Sequence, residues 1–255
     1  KLGKPGKIKL INIDTSFFNG NQPEYAMIEG CFLENNNYKN TKWIKITKKN
    51  KIKPNNNNIL KSNSSKTFNF IRLNIFPDGG VARLRLFGNI DLSLQTISNN
   101  NIIDLASVIN GSQVIACSDE HFGNANNILL PGKSKNMGNG WETRRRRGTG
   151  YDWVILKLGL SGYPTSFEIN THYFKGNYPD SFSVQGICNN KKTSINSIIK
   201  KSKKWQTIIS KTKLKADSSL KIKMLKKFYK KYNYIKLNIY PDGGISRFRV
   251  YGKIK

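Results

Sequence analysis

Four consecutive arginines, Arg144 to Arg147, stand in the stretch GWETRRRRGTGYDW at residues 140–153. Only nine of the chain's 44 basic residues are Arg, so a run of four is a departure from its habit. Guanidinium is a planar fork that grips a carboxylate through two parallel hydrogen bonds, which an ammonium cannot do. Glu142 and Asp152 flank the run, and Trp141 and Trp153 offer apolar walls. Residues of these types in one pocket would hold a small organic anion and move a proton to or from it. Glu120 and His121, beside Asp119 in SDEHFG at 118–123, are further candidates for the proton transfer. The plainer alternatives are an exposed basic turn balanced by its neighbouring acids and an ordinary polar loop. On a strand, four successive arginines would point two to each face.

The elements that must position these residues are short strands, and they come twice. IFPDGGVARLRLFG at 75–88 returns as IYPDGGISRFRVYG at 239–252, and IDTSFFNGNQPE at 13–24 returns as INTHYFKGNYPD at 169–180. The offset grows from 156 to 164 residues, the signature of two copies of one domain with small loop differences rather than a solenoid. Apolar and polar residues alternate on both sides of each PDGG motif: Ile71, Leu73 and Ile75 before it, Leu84 and Leu86 after it. The motif reads as the turn of a closing hairpin, with Pro77 presetting φ, Asp78 and Asp242 as turn formers, and the glycine pair supplying positive φ. Arg83 and Arg85, like Arg247 and Arg249, are two apart on one strand face, about 6.6 Å from each other. Helical candidates are brief, at 102–109 and 218–231. Many short strands with long crossing loops predict an all-β chain, two tandem homologous jelly-roll-like antiparallel β-sandwich domains. The expected boundaries are 1–88 for the first copy, 89–103 for a linker and 104–255 for the second copy. The segment 112–156 has no counterpart ahead of Lys1, so the first copy reads as shortened by roughly 45 residues at its N-terminus, which leaves the activity of the fragment open.

Composition excludes several classes. Hydrophobic residues make up 37% of 255, enough for a core and against disorder. No apolar run approaches the ~18–20 residues of a membrane-spanning helix. The three cysteines are odd in number and widely spaced, which predicts reduced thiols and a cytoplasmic setting. The formal net charge of +29 comes mostly from lysines in Asn-rich stretches at 45–66 and from 189 onward. Those lysines are not interleaved with aromatics and accompany no nucleic-acid motif, so no nucleic-acid partner is expected. No membrane partner is expected either, and a homo-oligomer is left open.

Taken together, GWETRRRR…YDW…LKLG, SDEHFG, DTSFFNGN, THYFKGNYP and the doubled PDGG-x-x-R-x-R-x-x-G resemble the allantoicase family over nearly the whole chain. The resemblance implies two homologous jelly-roll domains and the hydrolysis of allantoate to ureidoglycolate and urea, in purine and allantoin breakdown. It implies that one or more of Arg144, Arg145, Arg146 and Arg147 holds the substrate carboxylate, and that Glu142, Glu120, His121 or Asp152 supplies acid and base, with the division between them left open. Trp141 and Trp153 would wall the site. Asn177 or Asn21 would meet the ureido groups, and Arg247 and Arg249 are added as substrate-binding candidates. No cofactor is predicted; the family leaves a divalent metal open, and the sequence offers no ligand set for one. Tyr151 stands where the family more often has His or Asn, and the Asp14-Thr15 pair becomes Asn170-Thr171 in the second copy. A non-catalytic jelly-roll module binding carbohydrate is the competing reading; such a site wants aromatics and amides but no Arg run beside Glu.

Overall fold

The computed structural model describes residues 1–33, 41–91 and 101–254. The chain divides into two compact units, Lys1–Thr96 and Ile97–Lys255. Residues 92–100, inside the expected linker 89–103, lie outside the described residues.

In the first unit the strands are β1 (Gly6–Asp14), β2 (Tyr25–Cys31), β3 (Ile44–Lys45), β4 (Asn50–Lys51), β5 (Asn57–Lys61), β6 (Thr67–Phe68), β7 (Phe70–Phe76) and β8 (Arg83–Ile90). All pairings are antiparallel: β1 lies between β8 on one side and β5 and β6 on the other, and β2 lies between β7 and the short β3 and β4. Period-2 alternation sends Ile11 and Ile13 of β1, and Ala26 and Ile28 of β2, into the core between the two sheets, where all four are fully buried.

The second unit repeats this plan and adds to it. Its strands are β9 (Ile103–Asp104), β10 (Gln113–Cys117), β11 (Trp141–Glu142), β12 (Asp152–Asn170), β13 (Ser181–Ile187), β14 (Gln206–Lys213), β15 (Ser219–Lys223), β16 (Tyr232–Tyr240), β17 (Gly244–Ile245) and β18 (Arg247–Lys253). One α-helix, α1 (Ile195–Ser202), starts at Ser194, whose side chain accepts from the Ser197 N–H. The 19-residue β12 serves both layers. Its first half pairs with β10 and β16, its second half with β15 and β18, and the ladder with β16 breaks register between Lys157 and Gly162. Duplication is visible in the register itself. Asp14 faces Arg83 and Asn57 in the first unit; Asn170 faces Arg247 and Ser219 in the second.

Three expectations need correction. The PDGG motif is not the turn of a hairpin: β7 pairs with β2 and β8 with β1, so the motif carries the chain across from one sheet to the other. Both Pro residues follow cis peptide bonds, and only the first glycine of each pair, Gly79 and Gly243, takes positive φ (132° in each). The second glycine is there for space. A Cβ on Gly80 would meet the Phe18 ring at 1.9 Å, and one on Gly244 the Phe174 ring at 2.0 Å. The helical candidates also fail. Residues 102–109 hold β9 and the start of a 3-10 turn, and 218–231 hold β15 and a 3-10 turn, because pairing with β18 and β12 overrides local preference. The arginine run is not on a strand either; Thr143–Arg147 have no regular structure, so the two-to-each-face geometry does not arise.

In the first unit Asp14 ends β1 as a buried carboxylate. It accepts from the Ser16 hydroxyl (2.6 Å), the Ser16 N–H (3.0 Å) and Arg85 Nη1 (2.9 Å). These donors, Ser16 first and Arg85 after it, hold its carboxyl near 2 rather than the usual 3.8. A depressed carboxyl stabilises the fold fully above about 3.8 and loses that contribution as pH falls toward 2. Hydrogen-exchange protection of β1 and β8, corrected for intrinsic rates, is therefore expected to fall between pH 4 and pH 2. Asp14→Asn should start lower and show a shallower fall; an unchanged profile would remove this carboxylate from the acid response.

Candidate active-site cleft

At one end of the second unit's sandwich four segments converge. The two-residue ladder of β11 on β17 sets Trp141 opposite Ile245 and Glu142 opposite Gly244. Thr143 extends it: its N–H donates to the Gly243 carbonyl (3.3 Å) and its Oγ1 accepts from the Gly243 N–H (3.1 Å). The 118–123 loop joins from the other side, with the Phe122 and Gly123 N–H groups donating to the Glu142 carbonyl at 3.2 and 3.3 Å. The 174–180 loop is tied in by the Gly244 N–H, which donates to the Asn177 carbonyl at 2.7 Å.

Between these segments lies a cavity of about 640 Å³, lined among others by Glu142, Arg145, Arg146, Asn177, Asp180 and Asp242. Asn177 Nδ2 donates to Glu142 Oε1 in a short hydrogen bond and touches Met137 Sδ at 3.7 Å. Glu142 is half-buried, so its carboxylate is oriented by an amide and still reaches the cavity. Asp242 accepts from the Arg146 backbone N–H at 2.7 Å, and so fixes the arginine run rather than its own turn. A second hollow of about 350 Å³ is lined by all four arginines together with Ser118, Asp119 and Asp152. Arg145 and Arg146 border both spaces. The Arg146 Nε is buried and has no hydrogen-bond partner, an unpaired donor that costs about 1–3 kcal/mol.

Asp152 is 1% exposed, and its Oδ1 accepts from Ser118 Oγ (2.9 Å) and from Arg146 Nη2. It lies beneath the arginine it holds. Glu120 is exposed, with Oε2 accepting from the Ala125 N–H at 2.9 Å ahead of a 3-10 turn. His121 is exposed, its ring edge-on to Phe122 at 4.5 Å between centroids.

The two tryptophans do not share a pocket. Trp141 is fully buried in the core, its Nε1 donating to the Asp119 carbonyl at 2.8 Å. Trp153 follows the inward-pointing Asp152 and so faces the other side of the sheet, where the buried ammonium of Lys236 sits 5.3 Å from its ring centroid. Arg247 and Arg249 are apart from the cleft-lining residues and bind the carbonyls of the 128–139 loop: Gly132, Lys133 and Asn139 take Arg247, while Ile128, Leu130 and Gly132 take Arg249. Asn21 belongs to the first unit, where its carbonyl accepts from the Gly80 N–H at 2.8 Å, as Asn177 does from Gly244. Sequence reasoning missed Phe122 and Asp180, which carry no signal without the fold. It saw Asp242 only as a turn former. The donor sets present do not fit a metal: among the described residues no three His, Cys, Asp or Glu side chains converge.

A family model described as the allantoicase repeat matches residues 1–91 and 103–255. The chain belongs to the allantoicase family. A probable allantoicase of Acinetobacter baumannii is 42% identical over 254 residues, spanning 100% of this chain and 75% of that protein. One from Pseudomonas fluorescens is also 42% identical, over 255 residues and 77% of its length. Among solved structures, the allantoicase of Saccharomyces cerevisiae matches with a TM-score of 0.81 and 32% identity, over 97% of this chain and 74% of that one. Allantoicase relatives over the full chain favour the hydrolase reading over the carbohydrate-binding one.

The candidate cleft depends on the ring of Phe174, which sits against Gly244 and within 2.9 Å of where a Cβ on Gly140 would lie. Gly244→Ala should displace that ring and cost about 1–3 kcal/mol of overpacking. Thermal denaturation would register the loss, and an unchanged midpoint would show that the ring does not hold the cleft together.

Proposed function

We propose that the cleft between Glu142 and the Arg145–Arg146 pair hydrolyses allantoate to ureidoglycolate and urea. The carrying observation is that an amide-oriented carboxylate and a guanidinium with a buried, unpartnered Nε line one cavity. Allantoate has one carboxylate and two ureido groups on a single carbon. Arg145 and Arg146 hold the carboxylate, and Asn177 and Asp242 offer an amide and a carboxylate to the ureido N–H and C=O groups. Glu142 passes a proton to the departing ureido nitrogen. The C–N bond breaks with its electron pair going to that nitrogen, the other ureido nitrogen supplies electrons to the central carbon, and urea leaves. Water then adds to the carbon and gives up a proton, which restores Glu142 to its acid form.

Glu142 takes this role over the other candidates because it lines the cavity. Asp152 is a positioning residue that holds Arg146, and Glu120 is engaged with Ala125 N–H. The reading covers two allantoicase repeats, at 1–88 and 104–255, joined by 89–103. Three unpaired cysteines support a reducing, cytoplasmic setting; no helix among the described residues is long and apolar enough to cross a membrane.

Urea release from allantoate tests the site directly. Glu142→Gln is expected to lower kcat by about 10²-fold or more with KM little changed. Arg145→Ala should instead raise KM, since its contact is with the carboxylate in ground and transition states alike. Undiminished activity in both variants would overturn the assignment of this cleft, and no urea from the unaltered protein would overturn the function.

A further inference from the structure

The second unit has another cavity, of about 390 Å³, on the outer face of the β12–β15–β18 layer. The parity of β18 that sends Phe248 and Val250 into the core sends Arg247 and Arg249 to this face, where the 132–133 segment covers them. Arg247 is 3% exposed, and its hydrogen bonds all end on neutral oxygens: the carbonyls of Gly132, Lys133, Asn139 and Ser246, and Asn139 Oδ1. Among the described residues it forms no ion pair. Arg249 lies 3.6 Å from Asp104, and Lys133 adds a third cation to the lining. Burial and the charge of Arg249 push Arg247 below its ordinary range, the mark of a cation short of counter-charge.

One carboxylate lines the same space. Glu168 Oε1 accepts from Asn170 Nδ2 (3.0 Å) and Ser219 Oγ (3.3 Å), and Oε2 from the Tyr251 hydroxyl (3.1 Å). Burial raises its carboxyl, but these donors outweigh that and leave it lowered, hence ionised. An ionised carboxylate offers about four acceptor positions, so about one stays free for a ligand N–H. A dianion such as phosphate would meet this fixed negative charge. A monoanion with N–H groups of its own would satisfy both ends of the cavity.

We propose that this cavity binds a small ureido acid, its carboxylate drawn to Lys133, Arg247 and Arg249 and its ureido N–H donating to Glu168. The choice of a ureido acid over another amide-bearing acid rests on the function proposed above. The site is separate from the catalytic cleft, yet the loop that covers it runs on to Glu142, with Asn139 bound to Arg247 and Met137 against Asn177. It is thus placed as a second seat for the substrate or the ureido product.

The chain has two histidines, and they divide the two sites between them. His172 lines this cavity, while His121 packs on Phe122 at the cleft. The experiment is a histidine-ring NMR titration of the Glu142→Gln protein with allantoate, with acetate and inorganic phosphate as control anions. The His172 signals are expected to shift saturably with allantoate, with a Kd distinct from that of His121. Lys133→Ala and Glu168→Gln should each raise the His172 Kd about tenfold or more and leave the His121 response in place. Lys133 is on the surface, so its variant serves even where the Glu168 variant fails to fold. An unmoved His172 would overturn the proposal, and so would equal shifts with acetate or phosphate. A His172 response in a protein whose unaltered form releases no urea would overturn the catalytic reading and uphold this one.

Discussion

One aromatic ring sets the distances in the cleft. Phe174 is fully buried, and the two glycines against it, Gly140 and Gly244, begin or border the two short strands β11 and β17. Any side chain on Gly244 would occupy the space the ring now fills. Because the ring fits there, the Gly244 N–H reaches the Asn177 carbonyl, and the Asn177 amide in turn reaches Glu142. A packing contact thus fixes a hydrogen-bond geometry, the usual route by which a rigid site is held to within fractions of an ångström. Phe18 against Gly80 is the same device in the first unit, where the Gly80 N–H meets the Asn21 carbonyl.

The two copies share a frame but not its polar content. At the end of β1 the first unit sets Asp14 against Arg85 at 2.9 Å. At the matching place the second unit has Asn170, and its carboxylate sits two residues earlier, as Glu168. Arg247 and Arg249 are then free of a direct pair with that acid, and the carbonyls of the 128–139 loop take most of their donors. Sequence identity between copies therefore marks the sheet register.

Much of this frame was legible. Alternation around PDGG gave the strands, the growing offset gave the duplication, and both depend only on local periodicity. What failed depended on which strands meet in space. Sandwich crossings and hairpins share turn chemistry, so PDGG could not tell one from the other; the partner of β7 is β2, 45 residues earlier by its first residue. The split of Trp141 from Trp153 was within reach, since adjacent residues on a strand point oppositely and Asp152 adjoins Trp153. The convergence of Glu142 with Asn177 was not, because a two-residue ladder leaves no periodic trace.

The cleft also separates two acids that look alike in sequence. Asp152 and Glu142 both flank the arginine run, ten residues apart. Asp152 ends up beneath Arg146, almost fully buried, with one oxygen taking both a hydroxyl and a guanidinium donor. In that state it neutralises a charge and directs it. Glu142 keeps one side toward the cavity, and its fixed partner is a neutral amide. The difference between the two carboxylates follows from their partners, and those partners follow from which face of which strand each residue occupies.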